Sequence, residues 1–354
     1  MGLVSESSIM TWFSKLKQTN YLTPTVAGGA YRRLGETSKV LFDVAPTFEN
    51  DTENNGSDEP TGSFITTNIF SETALPTYFS FQDIVYWLQM IMGVLVSGGS
   101  ASPRTHTIAA LNKQTARQHP VRTFGQREGS NILIYPSIGL KELRIAKNAA
   151  GRLTVSITPH GGGVVLLNPA SYAVPSVVSD RVYGYNNQAS HSINDLVASL
   201  TKGYQCEVQS WEWVFTNSSV DDGFRDCSPE FEAGNPAGGQ TRAEWLTAVY
   251  DWKFNCTVRY DSSDPVRTIL RNGHPVTIQT EVISTEVMDD EDETPYSLTL
   301  TDENGKIERV GKGMETNGFI TQDIGISLKA SKDDGLMTTQ AVVVNDVAGA
   351  QYAT

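Results

Sequence analysis

Residues 251–261, DWKFNCTVRYD, alternate strictly. Trp252, Phe254, Cys256, Val258 and Tyr260 fall on one parity, and Lys253, Asn255, Thr257 and Arg259 on the other. This is the period-two pattern of a strand with one buried face. The pattern dominates the chain from about residue 131 onward. EVQSWEWVF, TIQTEVIS and GFITQDIGISLKAS read as strands, and ELRIA and RLTVSIT read as a pair around KNAAG. In GFITQDIGISLKAS, Ile320, Gln322, Ile324, Ile326, Leu328 and Ala330 share one face. MDDEDETP reads as an acidic turn, and SLTLTD and IERVG are separated by the turn-like ENGK.

Two stretches carry helical spacing instead. Ile9, Trp12, Phe13 and Leu16 follow i, i+3, i+4, i+7 behind Ser7 or Ser8, which predicts an N-terminal helix. Phe81, Ile84, Val85, Leu88, Ile91 and Met92 form a stripe behind Ser80, ended by Gly93 or Gly98, and predict a second helix. NYLTPTVAGGAYRR reads as an extended arm, KVLFDV as a strand, and residues 46–63 and 217–245 as long loops rich in polar residues and glycine. Loops beyond ~12–15 residues are uncommon in compact domains and tend to be functional or disordered. Many short strands with turns between them favour a sandwich or open barrel. The expected fold is therefore mainly β, a sandwich or open barrel with one flanking helix and long loops.

Composition narrows the function. The chain has 354 residues and a formal net charge of −13. Phosphate binding needs clustered cations, so the overall charge speaks against nucleic-acid binding and suits a surface that a polyanion passes without sticking. The longest apolar run, Ile84 to Val96, is interrupted by Gln89 and Gly93 and falls short of the ~20 residues of a membrane helix. The N-terminus lacks the basic and apolar regions of a signal peptide, so the matches to the glycosylation pattern at Asn50, Asn55, Asn217 and Asn255 are read as chance. A soluble protein made in the cytoplasm is expected. Cys206, Cys227 and Cys256 have no metal or disulfide spacing.

Motifs for chemistry are sparse. His160-Gly-Gly-Gly resembles an esterase oxyanion segment, but no GxSxG elbow accompanies it. His106, His119, His160, His191 and His274 are scattered and read as surface or loop residues. The acidic run 289–293 lacks the glycine and terminal glutamate of a calcium loop. No catalytic residue, metal or cofactor is expected. Carboxylate pairs such as Glu207/Glu212 or Glu230/Glu232, with Trp211, Trp213, Trp245 and Trp252, leave two alternatives open: a carbohydrate- or receptor-binding module, or a glycosidase. Lys113, Arg117, Arg122 and Arg127 form the one local basic cluster and suit an acidic neighbour.

The order of the segments resembles the major tail tube proteins of long-tailed bacteriophages. The similar parts are the arm YLTPTVAGGAYRRLGE before a strand and long loop, and the helix DIVYWLQMIMG followed by a Gly/Ser turn and THTI. The strand pair YPSIGLKELRIAKNAAGRLTVSITPHGGG and the late block from DWKFNCTVRYD to GFITQDIGISLKASKDDGLMTTQAVVVN complete the resemblance. It implies one tail-tube-like domain over 1–354, with an arm at about 1–36, a stacking loop at about 46–63 and an insertion at about 165–245. It also implies six copies (a hexamer), or three double-sized copies as in some relatives, closing into a ring and stacked through the arm and loop into the virion tail. Partners would be other copies and the tape measure, terminator and tip proteins, with DNA passing unbound during ejection. The self-assembly loop would use Glu49, Asp51, Glu53, Asp58 and Glu59. The lumen-facing strand would present Thr321, Asp323, Ser327 and Lys329.

Overall fold

The computed structural model describes residues 9–18, 31–35, 44–50, 64–70, 73–116, 118–147, 151–161, 166–167, 172, 174–204, 208–219, 224–225, 241–242, 247–289, 291–314 and 320–353. In chain order the first strands are β1 (Met10–Ser14), β2 (Tyr31–Arg33), β3 (Val44–Asn50), β4 (Phe64–Phe70) and β5 (Leu75–Tyr78). Helix α1 (Ile84–Met92) leads directly into the hairpin of β6 (Gly93–Gly98) and β7 (Arg104–Ala110). Then follow β8 (Arg122–Glu128), β9 (Asn131–Ala146), β10 (Thr154–His160), β11 (Leu166–Leu167), β12 (Ala189–Asp195) and β13 (Thr201–Tyr204). The remaining strands are β14 (Val208–Ser219), β15 (Phe224–Arg225), β16 (Thr241–Arg242), β17 (Thr247–Arg259), β18 (Pro275–Val287), β19 (Pro295–Met314), β20 (Ile320–Leu328) and β21 (Gln340–Asn345). Two short helices, α2 (Val266–Asn272) and α3 (Ala350–Ala353), flank this last group.

Two antiparallel sheets share β19. Its C-terminal half pairs with β20, and the sheet continues through β17, β14, β9 and β10 to β5. Its N-terminal half lies between β18 and β21, and that sheet runs from β6 and β7 on one side to β12 and β13 on the other. Strand β9 changes partners in a similar way. Its first part pairs with β8 and β11 and its second with β10 and β14. The change falls at Pro136, which has no N–H to donate, and Ser137, whose φ is 60°. The Gln18 side chain holds that bend, accepting from Ser137 N–H at 2.8 Å and donating to Ser137 Oγ at 3.1 Å.

The inner faces of the two sheets enclose one core. Trp213, Phe215, Trp252 and Phe254 from the first sheet are buried, as are Ile278, Leu298, Leu300 and Val343 from the second. Trp213 Nε1 donates across the core to Thr280 Oγ1 at 2.7 Å, so the buried indole is satisfied. All nine residues of α1 are buried. Gly93, with φ 109°, ends the helix, and a Cβ there would meet Leu111 at 2.9 Å. The mainly β expectation and the predicted helix over 81–92 therefore hold, although the regular helix begins at Ile84 behind Asp83. Ser80 accepts the Asp83 N–H through Oγ at 3.3 Å.

Several expectations are corrected. The N-terminal helix is instead strand β1, with Trp12 packed over Gly125 and Phe13 against Tyr86 and Trp87. A strand buried on both sides loses its alternation and mimics helical spacing. The loop over 46–63 is in part strand, since 46–50 belong to β3; residues 51–63 lie outside the described residues. ENGK is no turn but the middle of β19. Gly305 is needed there because β18 and β20 close in on both sides, and a Cβ would meet Ile326 at 3.0 Å and the Val276 carbonyl at 3.2 Å. The loop over 217–245 begins inside β14 and contains the β15–β16 ladder. Residues 165–245, expected as an insertion, include β12, β13 and β14, which join the two sheets; this neither supports nor contradicts that expectation. MDDEDETP is a turn as expected, closed by Met288 N–H to the Thr294 carbonyl at 2.8 Å.

Candidate assembly surfaces

The outer face of the first sheet is charged. Register places Lys253, Asn255, Thr257 and Arg259 of β17 opposite Ser327, Gly325, Asp323 and Thr321 of β20. The polar sides of the two strands thus form one surface. Across the sheet this surface carries four acids, Glu142, Glu212, Asp251 and Asp323, and five cations, Arg144, Lys253, Arg259, Lys306 and Arg309. Several are paired. Arg144 reaches Glu142 at 3.3 Å and Glu212 at 3.4 Å, and Lys253 reaches Asp251 at 2.8 Å. Glu212 also accepts from Asn255, and Asp323 from Thr257. Thr321 and Ser327 are short and buried beneath longer neighbours, Asp323 is half-buried, and Lys329 is exposed beyond the strand end, 3.6 Å from Glu308.

The outer face of the second sheet differs. One row of it runs Val96, Thr107, Val342, Thr299, Glu281, Ser190 across six strands. The neighbouring rows hold mainly Thr, Ser, Gln, Asn, Val and Ile; at the outward ladder positions of the described residues the charges are Glu281 and, opposite Pro275 at the boundary with the first sheet, Lys306, with Glu303 exposed at the adjoining bulge of β19. Val96 is 64% exposed and Ile283 41%. Strand β6 forms one edge of this sheet and pairs only with β7 among the described residues.

Strands β3 and β4 stand as a separate two-stranded ladder, Val44 opposite Phe70 and Asn50 opposite Phe64. Glu49 belongs to β3; Asp51, Glu53, Asp58 and Glu59 lie outside the described residues.

The arm is fixed to the body where it becomes β2. Asp83, buried ahead of α1, takes Arg32 on Oδ1 and Arg181 on Oδ2, the latter at 2.5 Å. Arg32 also reaches Asp180 at 3.1 Å, and Arg181 donates to the Arg33 carbonyl. Burial opposes the Arg32 charge, but the Asp83 and Asp180 carboxylates outweigh it and hold the guanidinium above its usual range. The sequence alone did not signal this clamp, because its members are far apart in the chain.

Other sequence candidates disperse. The basic cluster is not a patch. Arg122 is fully buried, donating to Gln89 Oε1 at 2.6 Å and to the Ser14 and Lys15 carbonyls. Lys113 lies over the Tyr250 ring, Arg127 turns to the Gly129 carbonyl, and Arg117 lies outside the described residues. Trp211, Trp213 and Trp252 are core residues and form no groove; Trp245, Glu207, Glu230 and Glu232 lie outside the described residues. The histidines are not all superficial, since His106, His119 and His191 are buried on inward positions. Burial pushes His119 down to about 4 and His191 down to about 3. Cys256 is a free buried thiol, and Cys206 and Cys227 lie outside the described residues. Among the described residues no group of three or more His, Cys, Asp or Glu is placed to hold a metal, and no helix is long and apolar enough to cross a membrane.

No protein-family model and no curated protein sequence matches the chain. Two solved structures are similar to part of it. One is a chain of the anti-feeding prophage baseplate, solved by cryo-electron microscopy with 6-fold symmetry, at 9% identity and a TM-score of 0.26 over 44% of this chain and 92% of that one. The other is the crystal structure of an Hcp protein, at 11% identity and a TM-score of 0.23 over 43% of this chain and 95% of that one. Overlap at this level is local and assigns no role.

Proposed function

We propose that the chain is a structural subunit that assembles with copies of itself into the stacked rings of a phage-like tail tube, the channel for DNA ejection. Beyond the order of sequence segments, one observation carries the reading: among the described residues, the β3–β4 ladder pairs with neither sheet. A lone two-stranded ribbon is marginal in water and needs a surface to pack on. A neighbouring copy supplies that surface, and the acidic stretch of sequence with Glu49, Asp51, Glu53, Asp58 and Glu59 is the stacking element. Six copies form the ring, and tape measure, terminator and tip proteins meet it in the virion tail. The charged face with Thr321, Asp323, Ser327 and nearby Lys329 lines the lumen. It mixes five cations with four acids, and Arg144 and Lys253 are paired with acids of the same face, which lowers its pull on phosphate.

Negative-stain microscopy at rising concentration, beside sedimentation, tests this. Hollow rings or tubes support it, and image averaging counts the copies. A variant lacking 51–63 keeps its melting temperature but forms no stacks. Stacks of normal length from that variant remove that stretch from the mechanism, and a sharp monomer at every concentration overturns the whole reading.

A further inference from the structure

We propose that the uncharged outer face of the second sheet is a contact surface for a second copy of this chain. Charged residues make up 19% of the sequence, and the first sheet's outer face carries nine of them. The second sheet, also seven strands wide, carries only Glu281 at its outward ladder positions away from Lys306 and Glu303, which stand at its boundary with the first sheet. Depletion of charge from the centre of a patch is one mark of an interface core. Val94, Val96, Ile283 and Val287 are each exposed by 37% or more.

The occupant follows from the chemistry. Hydroxyl and amide side chains both donate and accept, so a face built from Thr, Ser, Asn and Gln complements itself. A two-fold contact sets a patch against the same patch, which a charged face resists and this face permits. A partner with a charged patch would instead leave its charges desolvated and unpaired. The size also suffices. Seven strands at ~4.8 Å, each offering about five or six residues at ~3.4 Å, cover on the order of 600 Å², near the ~800 Å² per partner of a standard interface. The open edge of β6 extends the patch.

The inference shares with the tail reading only the premise that the chain associates with itself. The test uses the full chain in sedimentation velocity across a dilution series. The wild type associates, and T299K/V342K weakens association by about tenfold or more, because like charges then oppose across the contact. Asn255→Lys on the charged face, and the conservative Val342→Thr, leave association unchanged. A Thr107→Cys variant adds a readout that needs no disruptive charge: maleimide labelling at that residue, read by peptide mass, is blocked in the associated state and recovered on dilution. A wild type that stays monomeric, a lysine variant that associates normally, or equal labelling in both states each overturns the contact. Hollow tubes in which Thr107→Cys stays reactive overturn this contact and leave the tail reading standing. Labelling-protected dimers without rings do the reverse.

Discussion

The two sheets present opposite outer faces from one shared strand. On the first, acids and cations are mixed and some pair, as in the Arg144–Glu142–Glu212 group; on the second, Thr299, Val342 and Thr107 stand in a row with no charge but Glu281. Their inner faces are both buried in the same core and mostly apolar, with His106, His191 and Thr280 among the inward residues of the second. The core therefore does not account for the difference. Mixed charge keeps a wide sheet hydrated and unattached, whereas its absence leaves a face that water alone covers poorly. On the two proposals above, the contrast separates a face that a polyanion passes from one that makes a lasting contact.

The largest perturbation removes the frame that both faces share. Asp83→Asn leaves Arg32 and Arg181 buried around a neutral amide, and breaking a buried ion pair on one side costs about 3–5 kcal/mol. Denaturant unfolding should show that loss, together with earlier proteolysis near β2. A loss below ~1 kcal/mol would show that the clamp is not structural.

Acid should act next, through the histidines between the sheets. His191 shares Thr280 with Trp213, its Nδ1 2.8 Å from Thr280 Oγ1. His119 sits against the Met90 carbonyl and Tyr250 hydroxyl. Burial holds them at about 3 and about 4, below the unfolded value near 6.5. The unfolded chain thus binds protons first as pH falls, so stability is full above about pH 6.5 and declines below it. At about pH 5 the two together remove on the order of 4 kcal/mol. Melting temperature against pH checks the sign, and His119→Gln should flatten the slope. A melting temperature that rises on acidification contradicts the assignment.

A smaller effect is expected at the start of the uncharged sheet. Gly93→Ala forces a side chain into φ 109° and onto Leu111, at a cost of about 1–3 kcal/mol. Because β6 begins at this residue, hydrogen exchange should rise along β6 and β7 before it rises in β14 or β17. Uniform change through both sheets would show that they open as one unit.

Much of this comparison could be read in advance, and the unread part has physical causes. Strands with one wet face, β17, β18 and β20, announce themselves by alternation. So does α1, whose apolar stripe ends at Gly93. Strand β1 did not, because Trp12 and Phe13 are buried on opposite sides. Asn304-Gly305 looked like a turn, yet the glycine serves a close approach between strands. Charge patterns were visible strand by strand, but which strands share a sheet was not. That depends on pairings such as β14 with β9, Glu212 against Ala146, far apart in sequence. Hence the uncharged face, assembled from strands scattered between residues 93 and 345, emerged only with the fold.

The finest test asks whether the ion pairs on the charged face hold the fold or only dress it. Arg144 is 44% exposed at its side chain, and its partners Glu142 and Glu212 are about a third exposed. Pairs so open to water contribute about 0–1 kcal/mol and weaken with salt. Arg144→Gln should therefore lower stability by no more than ~1 kcal/mol at low salt, and by less at high salt. Its larger consequence is electrostatic, because Glu142 and Glu212 lose their counter-ion and the face becomes more acidic. If the face is built to let a polyanion pass, the variant keeps association and stability alike, and retention on an immobilised phosphate polymer stays at background. If retention of the wild type is already high and falls in the variant, the cations of this face grip phosphate, and the contrast between the two sheets needs another explanation.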